Sequence, residues 1–403
     1  MQKKLSLASA AVASCVVLAA CSGGGGGGGD EEIVIGAVHP LTGALAGEGA
    51  LMSAGAKLAV EDINEAGGIE CLDGAQLSLS TGDSQGTAAT GQTEAQRLVD
   101  SGAVALIGTY QSDVTQNVAS VAERAGVPLV IDVAVDDAIL EQGYQNSFRI
   151  QPNASSMGED GATALEGIFE EAGEELSTVS YIHIEGAFGE SVFSAFEEKA
   201  AADGIDVNEV TYAAANFSDA TQVVSRALSS DPDIVVVTGY YPDSLLIASA
   251  LQQLGSEVDV YGIANGAFDN TSFPGDAGTA GDGILSANYH YNMQNERVED
   301  IRSRFEEEAG EPMETAAVLS YQAVEVIAEA LQESCDTDPG AVRDAIADIE
   351  VDDPLLAFDG PITFGENGEN ENATVIVTQI ADGQIQQVFP EEFKTADLTF
   401  PTR

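Results

Sequence analysis

The thiol and imidazole chemistry of this chain rests on four cysteines and three histidines: Cys15, Cys21, Cys71, Cys335, His39, His183 and His290. Their spacing fits no metal centre, because CxxC and HExxH are absent and the histidines are scattered. GESVF at 189–193 lacks the final glycine of a GxSxG nucleophile elbow, and no His or Asp partners sit at the expected loop ends. His183 and Glu185, in HIE, have no PCxxC partner of the kind zinc deaminases need; His183 reads instead as a cap on the strand TVSYIHI. The glycine run in SGGGGGGGDEE follows no strand and opens no helix at P-loop spacing, so it is a flexible coil rather than a phosphate cradle. These readings predict a protein that is not an enzyme and uses no metal or other cofactor.

Cys21 has a more specific setting. Lys3 and Lys4 precede an apolar stretch reaching Leu18 and the small pair Ala19-Ala20, the layout of an export signal over 1–20. The stretch is too short and too broken by Ala and Ser for a spanning helix, which needs about 20 apolar residues. LAAC at 18–21 resembles a bacterial lipobox. That resemblance implies lipid on Cys21, loss of Cys15 with the signal, and a tether over 21–32 leading to an extracytoplasmic body anchored to the cell membrane. Outside the cytoplasm disulfides persist, so the remaining even pair, Cys71 and Cys335, is expected to be joined.

The 403 residues suffice for two domains, and 44% apolar against 20% charged residues can bury sizeable cores. The formal net charge is −53, with 67 acidic against 14 basic residues. Such a surface repels phosphate backbones and offers anionic lipid no basic patch, so nucleic-acid partners are excluded and membrane attachment must be covalent or by insertion. The excess also suggests a saline habitat, in which salt screens the self-repulsion.

From Ile33 short β-branched runs alternate with helical segments. IVIGAV, QLSLST, VALIG and VPLVID are separated by helices over 49–66, 87–100 and from Ser112 to Arg124. A second series after FRIQPN (148–153) alternates TVSYIHI, DVNEVTY, DIVVVTG and VDVYGI with helices over 154–172, 188–202, 219–229 and 243–254. The pattern predicts an α/β fold of two doubly wound lobes. Two consecutive helices over 296–333, a third over 339–349 and strands over 361–388 complete them. Three hinge crossings are expected near 150–153, 284–290 and 358–362, giving lobe 1 as 33–150 plus 288–358 and lobe 2 as 151–287 plus 359–403. A crevice between such lobes is built by the loops that follow the strands.

HPLTGALAGEGALMSAGAKLAVEDINEAGGI (39–69), GTYQSDVTQNVASVAERAGVPLV (108–130), AFGES (187–191) and TGYYPDS (238–244) together resemble the leucine/isoleucine/valine-binding type of solute-binding protein, the type I periplasmic binding proteins that feed ATP-driven importers. The resemblance runs through 33–390 in order. It implies that Ser112, which opens a helix where free N–H groups favour an anion, meets a ligand carboxylate, and that Tyr240 and Phe188 are cleft aromatics. Tyr110, Asp113 and Val133 belong to the same candidate set. Three positions depart from the amino-acid-binding pattern. Val135 stands where relatives carry Ser or Thr, Asn265 stands where they place an acidic residue against the ligand ammonium, and Glu48 stands where an aromatic often covers the ligand. An amino acid, an amide, a urea-like compound, an organic acid, or a cation held by Glu48 and Asp113 are all admissible.

The resemblance implies a monomer that closes its lobes on a small-molecule ligand and docks on the permease subunits of an ABC importer, whose separate ATPase supplies the energy. The competing reading is a ligand-sensing receptor module of the same fold without transport; no membrane-spanning helix or output segment after the lobes argues for it.

Overall fold

The computed structural model describes residues 32–402 other than Asn216; Cys15, Cys21, the signal and the glycine run lie outside the described residues. The chain begins β1 (Ile33–His39), α1 (Ala46–Glu65), β2 (Leu77–Asp83), α2 (Ala88–Asp100), β3 (Ala105–Gly108), α3 (Ser112–Ala125), β4 (Leu129–Ile131) and β5 (Ser147–Arg149). These five strands form one parallel sheet in the order β2-β1-β3-β4-β5. There follow α4 (Ala154–Ala172), β6 (Thr178–Ile184), α5 (Ala187–Asp203), β7 (Asp206–Tyr212), α6 (Thr221–Leu228), β8 (Ile234–Thr238), α7 (Tyr241–Gln253), β9 (Asp259–Ile263), α8 (Phe273–Ala277) and β10 (Leu285–Asn288). After α9 (Glu296–Ala309), α10 (Thr315–Ser334) and α11 (Pro339–Ala347) come β11 (Ile376–Ala381) and β12 (Gln384–Phe389). The second sheet runs β12-β11-β10-β9-β8-β6-β7, parallel except for β11 and β12.

Central strands such as β3 (ALIG) and β8 (IVVVT) are buried at every position, as parallel strands covered by helices on both faces must be. α10 carries thirteen buried residues and crosses α1 so closely that a Cβ at Gly55 would stand 2.3 Å from the Ala317 carbonyl oxygen. A side chain at Gly55 would push these two helices of the first lobe apart. The two doubly wound lobes anticipated from the alternation are therefore present, with α9 to α11 added to the first and β11 and β12 to the second.

Three details differ from the sequence reading. β5 and β10 are strands within or beside segments expected to be crossings. They hold three and four residues, all buried, so neither shows the alternation that marks a half-exposed strand. Conversely, 361–375 is not a strand. It makes isolated bridges, Val351 with Ile362, Phe364 with Asn370 and Arg149 with Glu369, and regular pairing starts only at Ile376. Among the described residues no helix is long and apolar enough to cross a membrane.

Candidate ligand-binding crevice

The loops at the carboxyl ends of the two sheets face each other. The first lobe contributes Glu48 from the first turn of α1, Tyr110 and Ser112 after β3, and Val133 and Val135 after β4. The second contributes Phe188 after β6, Tyr240 after β8, Gly266 and Asp269 after β9, and Asn288 and Tyr289 at the end of β10. Two small chambers, about 30 and 40 Å³, share Tyr110, Val133, Gly266, Asn288 and Tyr289 as walls. Glu48 and Glu314 line the larger chamber and also a mouth of about 270 Å³ outside it.

Contacts across the crevice hold the lobes together. The ring centroids of Tyr110 and Tyr240, from opposite lobes, are 5.6 Å apart, and Phe188 backs Tyr240 from within the second lobe by stacking on it at 5.3 Å. Gly266 lies so close to Tyr110 that a Cβ there would be 2.8 Å from the phenol oxygen. The Tyr289 hydroxyl donates to the Val133 carbonyl at 3.3 Å. Two polar contacts act as latches: Ser191 donates to Asp137 at 3.0 Å, and Glu314 accepts from the Thr271 backbone N–H at 3.0 Å and from the Thr271 hydroxyl. With chambers this small, a ligand enters by parting these contacts.

Of the residues singled out from the sequence, Tyr110, Ser112, Val133, Val135, Phe188 and Tyr240 line the smaller chamber, and Glu48 lines the larger. Ser112 is buried and its hydroxyl accepts from the Asp136 N–H at 3.4 Å. Asp113 is exposed and lines neither chamber; its carboxylate faces Gly186 of the other lobe. Asn265 also lies outside the lining. Its amide donates to the Val237 carbonyl at 3.3 Å and the Ser244 hydroxyl at 2.9 Å, and its oxygen accepts from the N–H groups of Ala267 and Phe268. The side chain ties the loop after β9 to β8 and is saturated by that task, so a carboxylate there would set an acceptor against the Val237 carbonyl.

Asp269, Glu314 and Tyr289 were not anticipated. Asp269 follows β9 and satisfies the general rule for crevice residues, but Glu314 precedes a helix with no strand before it, and no sequence signal marks it. Asp269 is buried with one side-chain donor, Asn288 Nδ2 at 2.7 Å. Burial pushes its carboxyl up to about 7, opposed by the Asn288 hydrogen bond and reinforced by the charges of Glu314 and Glu48. Burial followed by the Glu314 charge likewise pushes Glu48 up to about 7. Glu314 is also raised by burial, although the Thr271 hydrogen bonds oppose this.

The histidines serve the framework. His39 Nε2 meets Asp132 Oδ2 at 3.1 Å and its Nδ1 meets the Ser53 hydroxyl at 3.1 Å, while Ser320 donates to Asp132 at 2.7 Å. This buried cluster cross-links β1, α1, the β4 loop and α10. His183 joins Glu209 on the neighbouring strand at 3.1 Å, and burial pushes His290 down to about 4. Cys71 and Cys335 are free thiols, so the expected disulfide is absent from the structure. The fold nonetheless brings them together: both point at the Gln332 carbonyl, at 3.2 and 3.5 Å, and a hydrogen bond with Cys335 raises the Cys71 pKa.

The sequence agrees with this geometry: the family model described as periplasmic binding protein matches residues 32–384. The chain belongs to the periplasmic binding protein family. Curated members similar to it include Leu/Ile/Val-binding protein homolog 8 of Brucella abortus (strain 2308), 28% identical over 382 residues, covering 91% of this chain and 93% of the relative. Homolog 3 of Brucella melitensis is 28% identical over 357 residues, covering 88% and 92%. Among solved members, a leucine-binding protein of Thermotoga maritima superposes with TM-score 0.78 at 22% identity, over 89% of this chain and 98% of that one. A solute-binding protein of R. palustris in complex with benzoate superposes with TM-score 0.77 at 19% identity, over 88% and 95%. At these identities the structures show a common fold.

Proposed function

We propose that this periplasmic binding protein is an extracytoplasmic, lipid-anchored receptor that captures a small polar molecule between its lobes and delivers it to the permease of an ABC importer. The observation that carries the reading is the crevice itself: aromatic walls from both lobes, Tyr110 from one and Tyr240 and Phe188 from the other, meet over small chambers behind a wider mouth. A ligand seated there touches both lobes, so it stabilises the closed arrangement by its differential affinity for it. The closed form is what a permease reads. Lipid on Cys21 and the glycine tether would keep the receptor at the membrane, with a reach of about 5–6 Å times the square root of the tether's residue number.

The test has two arms. A thermal-shift screen of amino acids, amides, ureas, polyamines and small organic acids should yield at least one compound that raises the melting temperature, and deletion of the gene should reduce uptake of that compound. A hit whose uptake is unaffected by the deletion contradicts delivery. Cys21→Ala should release the protein from the membrane fraction, and retention of the variant there contradicts the anchor.

A further inference from the structure

Building on the reading of the crevice as a solute site, we infer that its ligand is an organic cation rather than a zwitterion or an anion, with its positive charge held among Glu48, Asp269 and Glu314 beside the rings of Tyr110 and Tyr289. The first ground is a charge imbalance along the whole entry path. The mouth is lined by Glu48, Asp276, Glu311 and Glu314, the larger chamber by Glu48, Asp269 and Glu314, and among the described residues no Lys, Arg or His lines either chamber or the mouth. Arg302 is the cation felt by Glu314, but it is committed elsewhere: its Nε donates to the Met313 carbonyl at 3.0 Å and its guanidinium lies 4.0 Å from the centre of the Tyr291 ring. Carboxylates buried without a cation are costly, and an incoming positive charge removes that cost.

The second ground is independent of the acidic groups. Tyr110 is only 6% exposed and walls both chambers, so its ring and hydroxyl are presented to whatever occupies them. A phenol oxygen presented to a cavity can accept from a ligand N–H. Aromatic rings beside carboxylates are also the surroundings in which ammonium and amidinium groups are held. A bare metal ion is a poor fit, since among the described residues no three His, Cys, Asp or Glu are placed to hold one.

The opposite end of the crevice offers an anion little. Val133 and Val135 are apolar, and the Ser112 hydroxyl, which accepts from the Asp136 N–H, brings one O–H and no positive charge. A zwitterion would satisfy the acidic groups and leave its own carboxylate poorly met. The raised carboxyls of Glu48 and Asp269, each near 7, agree with a site that awaits a positive charge, and they imply that cation binding releases protons near neutral pH.

Three probes with one carbon skeleton test this by calorimetric titration of the purified protein: L-leucine, 3-methylbutylamine (leucine without its carboxylate) and 4-methylpentanoate (leucine without its ammonium). The amine should bind at least about ten-fold more tightly than L-leucine, and 4-methylpentanoate should not bind. Glu48→Gln and Glu314→Gln should each weaken amine binding by about ten-fold or more without lowering the melting temperature of the ligand-free protein. Tighter binding of L-leucine or 4-methylpentanoate, or amine binding unchanged in both variants, overturns the inference. If none of the probes binds, mass spectrometry of the small molecule released on denaturing protein purified from its own cells decides. A released cation supports the inference, and a released zwitterion or anion overturns it while leaving the solute-binding reading intact. No released molecule together with no hit in the wider screen overturns both.

Discussion

Arg149 gives the most quantitative handle on how the fold positions the crevice. It ends β5 with no solvent exposure, donates from Nη1 to the Ala134 carbonyl at 3.2 Å and from Nη2 to the Asp136 carbonyl at 3.0 Å, and places Nε 3.1 Å from Glu369 Oε2. One side chain thus ties the loop carrying Val133 and Val135 to the segment between α11 and β11. Arg149→Met leaves the Ala134 carbonyl with only the Gln151 amide, the Asp136 carbonyl with only the Ile139 N–H, and Glu369 without its cation. Hydrogen bonds to a charged group contribute about 1.5–3 kcal/mol each, and breaking a buried ion pair from one side costs about 3–5 kcal/mol. These contributions overlap, so we predict a loss of about 3–5 kcal/mol in urea unfolding. Arg149→Lys should lose somewhat less, because a point charge cannot fork onto both carbonyls. Adding Glu369→Gln to Arg149→Met should recover part of the loss, since it removes the stranded carboxylate. A loss below about 1 kcal/mol for Arg149→Met, or no recovery in the double variant, would refute the assignment of Arg149 as the tie.

Three further outcomes are expected. Because burial raises Glu48 and Asp269 from ordinary carboxyl values to about 7, their contribution to stability is full below about pH 4 and is lost as pH rises to 7; Asp269→Asn should therefore gain stability over wild type between pH 5 and 8, by about 1–3 kcal/mol, in pH-stepped thermal melts, and an advantage confined to acid pH would contradict the burial argument. Ser112→Ala and Tyr240→Ala should each weaken binding of the ligand found by the screen by about ten-fold or more, and wild-type affinity in both would place the site elsewhere. Oxidation should join Cys71 to Cys335, closing a long loop that stabilises by about 4–5 kcal/mol on the chain-entropy estimate; two thiols reactive in unreduced, denatured protein would show that the bridge does not form.

Much of the architecture was legible because parallel sheets write themselves as apolar runs of fixed length between amphipathic helices. α4, over Ala154–Ala172, begins and ends where the pattern puts it, with Asn153 accepting from the Ser156 N–H at one end and Gly173 in the left-handed conformation at the other. β5 and β10 were hidden because three or four buried residues carry no periodicity, and the segment 361–375 read as strand because its apolar residues pack inward without regular pairing. The crevice divides along the same line. Residues that follow strands, such as Tyr110, Ser112 and Tyr240, could be placed by rule. Asn265 follows a strand too, but its amide turned out to brace the loop, a choice made by the neighbouring Val237 carbonyl and Ser244 rather than by local sequence. Glu314 could not be found from the sequence, because only the tertiary meeting of α10 with the loop after β9 brings it to Thr271.

The most direct test of the solute-binding account is a crystal structure of the protein with the compound that stabilises it. The account predicts density for that compound between the lobes, in contact with Tyr110 on one side and Tyr240 on the other. Density confined to one lobe, or lying outside the crevice, would contradict it.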